Sequence, residues 1–275
     1  MKWRVINSGI GRAADNMAVD EAILKAHAAG QVPPTIRFYG WQPAAVSVGY
    51  FQKASAEVDI SECRRQEIDV VRRLTGGRAV LHDAELTYSV VVSETHPLVP
   101  HTITASYRFF SQGLLDGLKV LGIEAQMSMP KAAYSQTKCR HHASAACFDA
   151  PSHYEVTFDG RKIIGSAQVR KEGVILQHGS ILLRFEPQQV ASLLNLPTPE
   201  AKATVAKMLT KRAISLAEAA NREISWEEAC QAIQTAFGPA LGVELTPDNL
   251  SQAEREMAQE LAVTKYTQNT WNLLR

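Results

Sequence analysis

The sequence predicts an α+β fold, with a mixed or antiparallel sheet flanked by helices, rather than a doubly wound α/β fold. Strand-like segments follow one another as in hairpins, for example TIRFYGW and then AVSVGYF. Helical patterns are grouped between and after these strands instead of alternating with them. A chain of 275 residues, of which 45% are hydrophobic, is long enough to bury one large core without disulfides.

The N-terminal part begins with a short strand, WRVINSG, followed by a helix in DNMAVDEAILKAHAAG. A start signal at Asp15 or Asn16 and a stop signal at Gly30 bound this helix. TIRFYGW and AVSVGYF are predicted strands separated by a turn at Gln42-Pro43, and VDISECRRQE predicts a helix near residues 58–67.

The middle of the chain predicts strands in DVVRRL, RAVLH and LTYSVVV, then a helix in TASYRFFSQGLLDGLKVLG with Phe109 on its core face. A second β region contains HYEVTF, a type I′ turn at Asp159-Gly160, RKIIGSAQVR and GVILQHGSILLR. From Glu186 onward the pattern is helical. We therefore expect a catalytic core over residues 1–200 and a helical C-terminal extension over residues 201–275, packed on the same domain.

Composition excludes several classes of protein. A net charge of +1 argues against general nucleic-acid binding. The chain has no apolar run long enough to span a membrane and no signal-peptide pattern at its start, so a cytoplasmic enzyme without membrane attachment is expected. Four cysteines without a CxxC pair indicate reduced thiols, and their spacing matches no common zinc pattern, so no metal is expected.

A basic, glycine-containing segment, RRLTGGRAVLHD, spans residues 72–83. Gly76 and Gly77 have no Cβ, so an extended ligand can approach their backbone closely. A tight turn between solvated arginines explains the same residues equally well. The segment does not have the spacing of a Walker phosphate-binding loop.

Two long motifs resemble the signatures of the lipoate-protein ligase and octanoyltransferase superfamily. They are RRLTGGRAVLHDAELTYSVV and GRKIIGSAQVRKEGVILQHGSILL, in the order found in that family. The similarity extends from Trp3 to about residue 200. Within the superfamily, ACFDAPSHYE resembles the octanoyltransferases of Gram-positive bacteria, whose acyl-carrying cysteine matches Cys147. The resemblance implies the catalytic-domain fold shared by biotin and lipoate ligases.

The four cysteines differ in their local context. Cys230 lies on an apolar helical face and Cys63 on a short charged helix, which favours structural roles for both. Cys139 is surrounded by basic residues, which would lower the pKa of its thiol; its context favours a surface loop, and a metal site shared with Cys147 is the less favoured alternative. Cys147 alone combines a turn, Asp149-Ala150-Pro151, with the family match, so it is the expected nucleophile.

Lys162 is the expected second catalytic residue. The resemblance assigns its family counterpart to thiolate stabilisation in transferases and to acyl-adenylate binding in ligases. An ammonium close to a thiol favours the thiolate and lowers the pKa of the cysteine. A solvent-facing lysine on a hairpin strand remains the alternative. The expected substrate-binding residues lie in the two motifs and are Arg73, Gly76, Gly77, Arg78, His82, Gly165 and His178. For His82 and His178 the alternative is a hydrogen-bonded strand histidine without a role in binding.

The expected activity is octanoyl transfer through a cysteine thioester. The donor is octanoyl-acyl carrier protein, and the acceptor is a lysine of the glycine cleavage H protein or another lipoyl domain. Thioester exchange is nearly isoenergetic and amide formation is downhill, so no cofactor is expected. The basic residues Arg73, Arg78, Lys138 and Arg140 are candidates for docking these acidic carriers, and solvated charges are the alternative.

Three other functions remain open at this point. An ATP-dependent lipoate-protein ligase would use Lys162 and the Arg72-Arg73 region to bind an acyl-adenylate. A sister transferase would move octanoyl groups between lipoyl proteins with a similarly placed cysteine. An inactive carrier-binding or regulatory protein would not need both Cys147 and Lys162.

Overall fold

The computed structural model describes residues 1–128 and 155–274. Its strands in chain order are β1 (Lys2–Gly11), β2 (Thr35–Trp41), β3 (Ala45–Val48), β4 (Asp69–Arg72), β5 (Val80–His82), β6 (Glu85–Ser93), β7 (Gln126–Ser128), β8 (Glu155–Phe158), β9 (Arg161–Lys171), β10 (Val174–Leu182) and β11 (Glu244–Pro247). The predicted strands are all present, mostly one to three residues shorter or longer than the sequence patterns.

The helices alternate with the strands only near the N-terminus and are concentrated after β10. They are α1 (Ala13–Ala28), α2 (Ala54–Glu57), α3 (Ile60–Arg65), α4 (Ile103–Val120), α5 (Pro187–Ser192), α6 (Pro199–Arg212), α7 (Leu216–Ala220), α8 (Trp226–Leu241), α9 (Gln252–Leu261), a π-helical turn (Ala262–Tyr266) and α10 (Asn269–Asn272). No helix in the described ranges is both long and apolar enough to cross a membrane.

The described strands form two sheets. The larger has the order β11-β1-β2-β6-β10-β9-β8-β7, and the smaller has the order β4-β3-β5. Within the larger sheet β1 pairs in parallel with β2 and β11, whereas the pairs from β2 to β7 are antiparallel. The predicted mixed sheet is therefore confirmed.

The C-terminal part differs from the prediction in one element. The sequence indicated only helices after Glu186, but residues 244–247 form β11, which adds to the edge of the large sheet beside β1. This four-residue strand is mostly exposed and contains a proline, so it lacks the apolar alternation that marks a strand in a sequence.

One face of the large sheet is covered by α4 and α8. Gly113 and Gly117 of α4 allow this close packing, because a Cβ on Gly113 would lie 2.8 Å from the Phe237 ring and one on Gly117 would lie 2.6 Å from Ile233. The core side chain of the aromatic pair in α4 is Phe110 rather than the expected Phe109, which is only partly buried. Adjacent aromatic residues leave the helical phase ambiguous in the sequence.

The opposite face carries α1, and α9 with the π-helical turn packs against α1. Helix α1 begins at Ala13, two residues before the first predicted start residue. The Asn16 side chain does not cap the helix; its Nδ2 donates to the carbonyls of Gly11 and Gly40 at 3.3 and 2.9 Å. Asn16 therefore fastens the start of α1 to two strands.

The β8–β9 hairpin turns as the sequence predicted. Asp159 and Gly160 both have positive φ, +49° and +72°, as a type I′ turn requires. The register of this hairpin shifts between Val156, which lies opposite Ile164, and Thr157, which lies opposite Lys162. One residue of β9, Ile163, is therefore extra on its strand, as in a β-bulge.

Candidate active site

A cleft with about 370 Å³ of empty space, counted with its open mouth, lies where α1, the small sheet and the β9–β10 pair meet. Most of its wall is apolar, and a few polar side chains project into it. The lining residues are Met17, Tyr39, Trp41, Ser47, Arg73, Val80, His82, Thr87, Gly165, Ser166, Ala167, His178, Gly179 and Ser180. Four of the predicted substrate-binding residues, Arg73, His82, Gly165 and His178, are thus brought together.

Arg73 joins two hydroxyl groups of the cleft. Its guanidinium donates to Ser47 Oγ at 3.0 Å and to Thr75 Oγ1 at 3.2 Å. The same group donates to the carbonyls of Gly76 and Arg78 at 2.8 and 2.7 Å. Arg73 is 4% exposed, so it organises the interior of the site and does not lie on a surface that could dock a carrier protein.

The Ser47 hydroxyl is the first member of a chain of hydrogen bonds that continues through His82 to the buried carboxylate of Glu85. Ser47 Oγ lies 2.7 Å from His82 Nε2, and His82 Nδ1 lies 2.7 Å from Glu85 Oε1. Because Ser47 accepts from Arg73, its own proton is available for Nε2, which assigns the Nδ1–H tautomer to His82. Glu85 also accepts from Thr87 and Ser180, and the Trp41 ring stacks on His82 at a centroid distance of 4.0 Å.

The Thr75 hydroxyl belongs to a similar chain of hydrogen bonds, which continues through His178 to the buried carboxylate of Asp20. Thr75 Oγ1 lies 2.7 Å from His178 Nε2, and His178 Nδ1 lies 3.3 Å from Asp20 Oδ2. Burial lowers the pKa of His178 below 6.5, although Asp20 opposes this change. Burial also disfavours the charge of Asp20, but Arg37 and His178 outweigh it and lower the pKa of the carboxyl group. His178 is therefore neutral beside an ionised Asp20 at neutral pH.

These hydrogen bonds determine which ligand the cleft accepts. The two imidazoles, the two hydroxyls and Arg73 satisfy one another and do not require a polar group from the ligand. An apolar chain can therefore occupy the space beside Met17 and Val80 without leaving a buried polar group unpaired. The arrangement suits an alkyl chain better than a charged ligand.

Gly76, Gly77 and Arg78 lie beside the cleft and are not among the residues that line it. Gly77 has φ +94°, and a Cβ there would lie 2.9 Å from Arg73 Nη2. The sequence left two explanations for these glycines, close approach of a substrate and a tight turn. In the structure Gly77 is required by its backbone conformation and by the close approach of Arg73.

Lys162 lies near the start of β9 and is 5% exposed. Its Nζ lies 3.0 Å from Glu155 Oε1 on β8. Ile163 and Ile164 belong to the same core cluster, so the extra residue in β9 places two consecutive side chains on one face. Lys162 then faces the side of the sheet that carries Gly165 of the cleft. The predicted solvent-facing alternative for Lys162 is wrong.

The cysteines separate into two groups. Cys63 and Cys230 are buried, and burial raises the pKa of each thiol to about 11. Both therefore have the structural character that the sequence indicated. Cys139 and Cys147, with Lys138 and Arg140, lie outside the described residues. Within residues 1–128 and 155–274, no cluster of three metal-ligating side chains is present.

The sequence is matched by the family model described as the lipoyl protein ligase A/B catalytic domain, over residues 12–238. The chain belongs to this family. The matched range contains the whole cleft and both strands that carry Gly165 and His178.

Relatives that match this chain over almost their full length include octanoyltransferases. The chain is 47% identical to octanoyltransferase LipM of Geobacillus kaustophilus over 273 residues, which cover 99% of this chain and 98% of that protein. It is 43% identical to octanoyltransferase LipM of Bacillus subtilis over the same length and coverage. The activity indicated for this member of the lipoyl protein ligase A/B family is octanoyl transfer in lipoate biosynthesis, an acyltransferase reaction.

Solved structures of the family confirm the predicted fold. The archaeal bipartite lipoate protein ligase of Thermoplasma acidophilum superposes with a TM-score of 0.82 at 27% identity, covering 100% of this chain and 98% of that one. Lipoate-protein ligase A bound with ATP gives a TM-score of 0.79 at 26% identity, covering 99% of both chains. Ligases and this octanoyltransferase therefore share one scaffold.

Sequence reasoning missed the partners of the two histidines. Asp20 lies on α1 and Ser47 on β3, far along the chain from the motifs that contain His178 and His82. A carboxylate in the middle of an otherwise apolar helix face was the available signal for Asp20, since buried carboxylates require partners. Ser47, within the strand pattern AVSV, carried no comparable signal.

Proposed function

We propose that this octanoyltransferase moves the octanoyl group from octanoyl-acyl carrier protein to a lysine of a lipoyl-accepting protein, through a thioester on Cys147. The observation that carries the proposal is the apolar cleft whose polar wall groups satisfy one another. Burial of eight carbons at ~0.8 kcal/mol per methylene would contribute roughly 5 kcal/mol to binding. In this proposal Arg73, His82 and His178 shape the cleft, and Gly165 allows close approach of the chain.

Cys147 and Lys162 are proposed to perform the chemistry. The Cys147 thiolate attacks the donor thioester carbonyl, the new carbon–sulfur bond forms, and the donor sulfur leaves as a thiolate that takes up a proton. The neutral ε-amine of the acceptor lysine then attacks the acyl-cysteine. The amide bond forms, the proton of the amine is released, and the Cys147 thiolate leaves. No nucleotide or metal enters either step.

Lys162 is proposed to stabilise the thiolate in both steps. Its ammonium is nearly buried and is held by Glu155, so its position is defined before substrate binds. In a site shielded from water, the attraction between an ammonium and a thiolate is stronger than at the surface. Lowering the pKa of Cys147 in this way would raise the fraction of thiolate at neutral pH.

The acceptor is proposed to be a lipoyl domain or the glycine cleavage H protein. The Thermoplasma ligase with the same fold was studied with its E2 lipoyl domain, which supports a lipoyl domain as partner. Arg78, Lys138 and Arg140 remain the candidates for docking, since Arg73 is buried. We place the reaction in the cytoplasm, without nucleic acid or membrane. We further propose that residues 201–275 belong to one domain with residues 1–200, which the pairing of β11 with β1 supports.

An ATP-dependent ligase is the second candidate, because ligases share the fold. It would use Lys162 and the Arg72-Arg73 region to bind an acyl-adenylate. Arg72 is instead completely buried, and its guanidinium donates to five backbone carbonyls. This arrangement favours transfer without nucleotide.

The experiment compares three acyl sources. The protein is incubated with an apo-lipoyl domain and with octanoyl-acyl carrier protein, with octanoate and ATP, or with an octanoylated lipoyl protein, and the acceptor is weighed by mass spectrometry. Octanoylation from the carrier protein without ATP supports the proposal. Octanoylation only from octanoate with ATP would establish the ligase, and octanoyl exchange only from an octanoylated lipoyl protein would establish the sister transferase.

A further inference from the structure

We propose that Trp271 and Asn272, here called the C-terminal clasp, are positioning residues of the acyl site. They hold Arg72, and through Arg72 they place the Gly49–Gln52 loop against the Gly76-Gly77 turn beside the cleft. The inference rests on the proposed function of the cleft and assigns a role to the last helix of the chain, α10.

The clasp binds both the backbone and the side chain of Arg72. The Trp271 indole Nε1–H donates to the Arg72 carbonyl at 2.9 Å, and the Arg72 amide donates to Asn272 Oδ1 at 3.0 Å. In return the guanidinium donates to the carbonyls of Trp271 and Asn272 at 3.0 and 3.1 Å. Four hydrogen bonds therefore join two residues of α10 to a single arginine at the end of β4.

The other end of the guanidinium holds the loop after β3. Arg72 Nη1 donates to the carbonyls of Gly49, Tyr50 and Gln52 at 2.8, 3.0 and 3.0 Å. Arg72 has no measurable exposure, so these carbonyls replace the water that would otherwise solvate its charge. Each carbonyl that moves away leaves a buried charge less well compensated.

The loop in turn contacts the turn that carries the paired glycines. The Tyr50 amide donates to the Thr75 carbonyl at 2.9 Å. Gly49 packs so closely on Gly77 that a Cβ on Gly49 would lie 2.1 Å from the Gly77 carbonyl oxygen. Arg73 holds the same turn from the side of the cleft, through the Gly76 carbonyl. The position of the turn therefore depends on both arginines.

The clasp itself is fixed to α1. Asn272 Nδ2 donates to the Tyr266 carbonyl at 2.8 Å, and the Tyr266 hydroxyl donates to Glu21 at 2.6 Å. Lys265 also donates to Glu21 and lies over the Trp271 ring, 4.0 Å from its centroid. Glu21 is the neighbour of Asp20, which holds His178. The clasp and the cleft thus share one helix as their support.

The test compares two tryptophan substitutions. Trp271→Phe keeps an aromatic ring but removes the N–H that donates to Arg72. Trp226→Phe makes the same change at another partly buried tryptophan, whose Nε1 has no hydrogen-bond partner among residues 1–128 and 155–274. Hydrogen exchange of peptides that cover residues 49–52 and 72–78 is measured together with KM and kcat for octanoyl-acyl carrier protein.

Trp271→Phe is expected to speed exchange in both peptides and to raise KM about fivefold, the effect of one lost hydrogen bond, while kcat changes less than KM. Trp226→Phe is expected to leave exchange in these peptides and KM as in the unmodified protein. Asn272→Ala should reproduce the effect of Trp271→Phe. Equal hydrogen exchange in these peptides and equal KM in the two phenylalanine variants would overturn the proposed positioning role of the clasp. If the unmodified protein transfers no octanoyl group, the proposed function fails, whereas the exchange comparison still decides whether the clasp holds the turn.

Discussion

Lys162 Nζ lies 3.0 Å from the Glu155 carboxylate, and this ion pair joins β9 to β8 with the lysine almost completely buried. We expect Lys162→Ala to remove the reactivity of Cys147, because the thiolate would lose its nearest proposed positive charge. The measurement is the rate of alkylation by iodoacetamide at pH 7, read at each cysteine by peptide mass spectrometry. Glu155→Gln should lower the reactivity less, since the ammonium is kept but held less firmly.

Cys63 and Cys230 are internal controls for this measurement. Burial raises the pKa of both to about 11, so each should react slowly in the unmodified protein and in both variants. Equal reactivity of Cys147 in the unmodified protein and in Lys162→Ala would show that another group activates the thiol. Octanoyl-acyl carrier protein alone should leave an octanoyl group that hydroxylamine releases, and Cys147→Ala should abolish this adduct.

Gly77→Ala is expected to damage the site through Arg73. A Cβ at this position would lie 2.9 Å from Arg73 Nη2, and φ of +94° is strained for any residue other than glycine. We expect a loss of roughly 1–2 kcal/mol in the free energy of unfolding and slower transfer for every chain length, measured by denaturation and by acylation rates. A loss confined to octanoyl, with butanoyl transfer unchanged, would show instead that the substrate passes directly over Gly77.

Met17→Ala should lengthen the acyl chain that the cleft accepts. Met17 is buried and lines the apolar wall, so its truncation adds space where the chain is proposed to lie. The ratio of decanoyl to octanoyl transfer should rise, by an amount limited to ~1–3 kcal/mol of discrimination per methylene. Met257→Ala truncates a partly buried methionine outside the cleft and is the control for a general loss of packing. An unchanged ratio would place the acyl chain elsewhere.

We expect the buried His178 to make the folded protein less stable in acid. Burial lowers its pKa below 6.5 in the folded protein, so between that lowered value and 6.5 the unfolded chain binds a proton that the folded chain does not. The free energy of unfolding should therefore fall as the pH decreases below about 6.5. Urea denaturation from pH 7.5 to 5.5 should show a smaller decrease for His178→Gln. The pKa values of His27 and His96 are also lowered by burial, and their contribution stays in both proteins.

The elements with strong local patterns were predictable from the sequence. The strand TIRFYGW corresponds residue for residue to β2, and the Asp159-Gly160 turn has the expected backbone, because alternation and turn chemistry are local properties. The residues of the cleft were predictable only where they lie within the two motifs. His82 and His178 are examples, and both are hydrogen-bonded at each ring nitrogen.

The other polar residues of the cleft and their partners are positioned by contacts between distant parts of the chain. Glu85 and Asp20 are buried carboxylates whose partners come from several strands, and no local pattern specifies such partners. For Arg72 the local pattern is present but misleading. In the sequence it precedes a Gly-Gly turn and is interpreted either as a solvated charge or as part of an acyl-adenylate site, but its guanidinium is bound by backbone carbonyls from the Gly49–Gln52 loop and from α10.

The edge of the large sheet can be completed only after most of the chain has been synthesised. Arg4 of β1 forms a buried ion pair with Glu254, which lies 250 residues later, and β1 also pairs with β11. Until residue 254 leaves the ribosome, β1 lacks one of its neighbours and Arg4 lacks its counter-charge. Closing so long a loop is slow, so we expect β1 to acquire β11 as its second neighbour, and Arg4 its counter-charge, only late in folding.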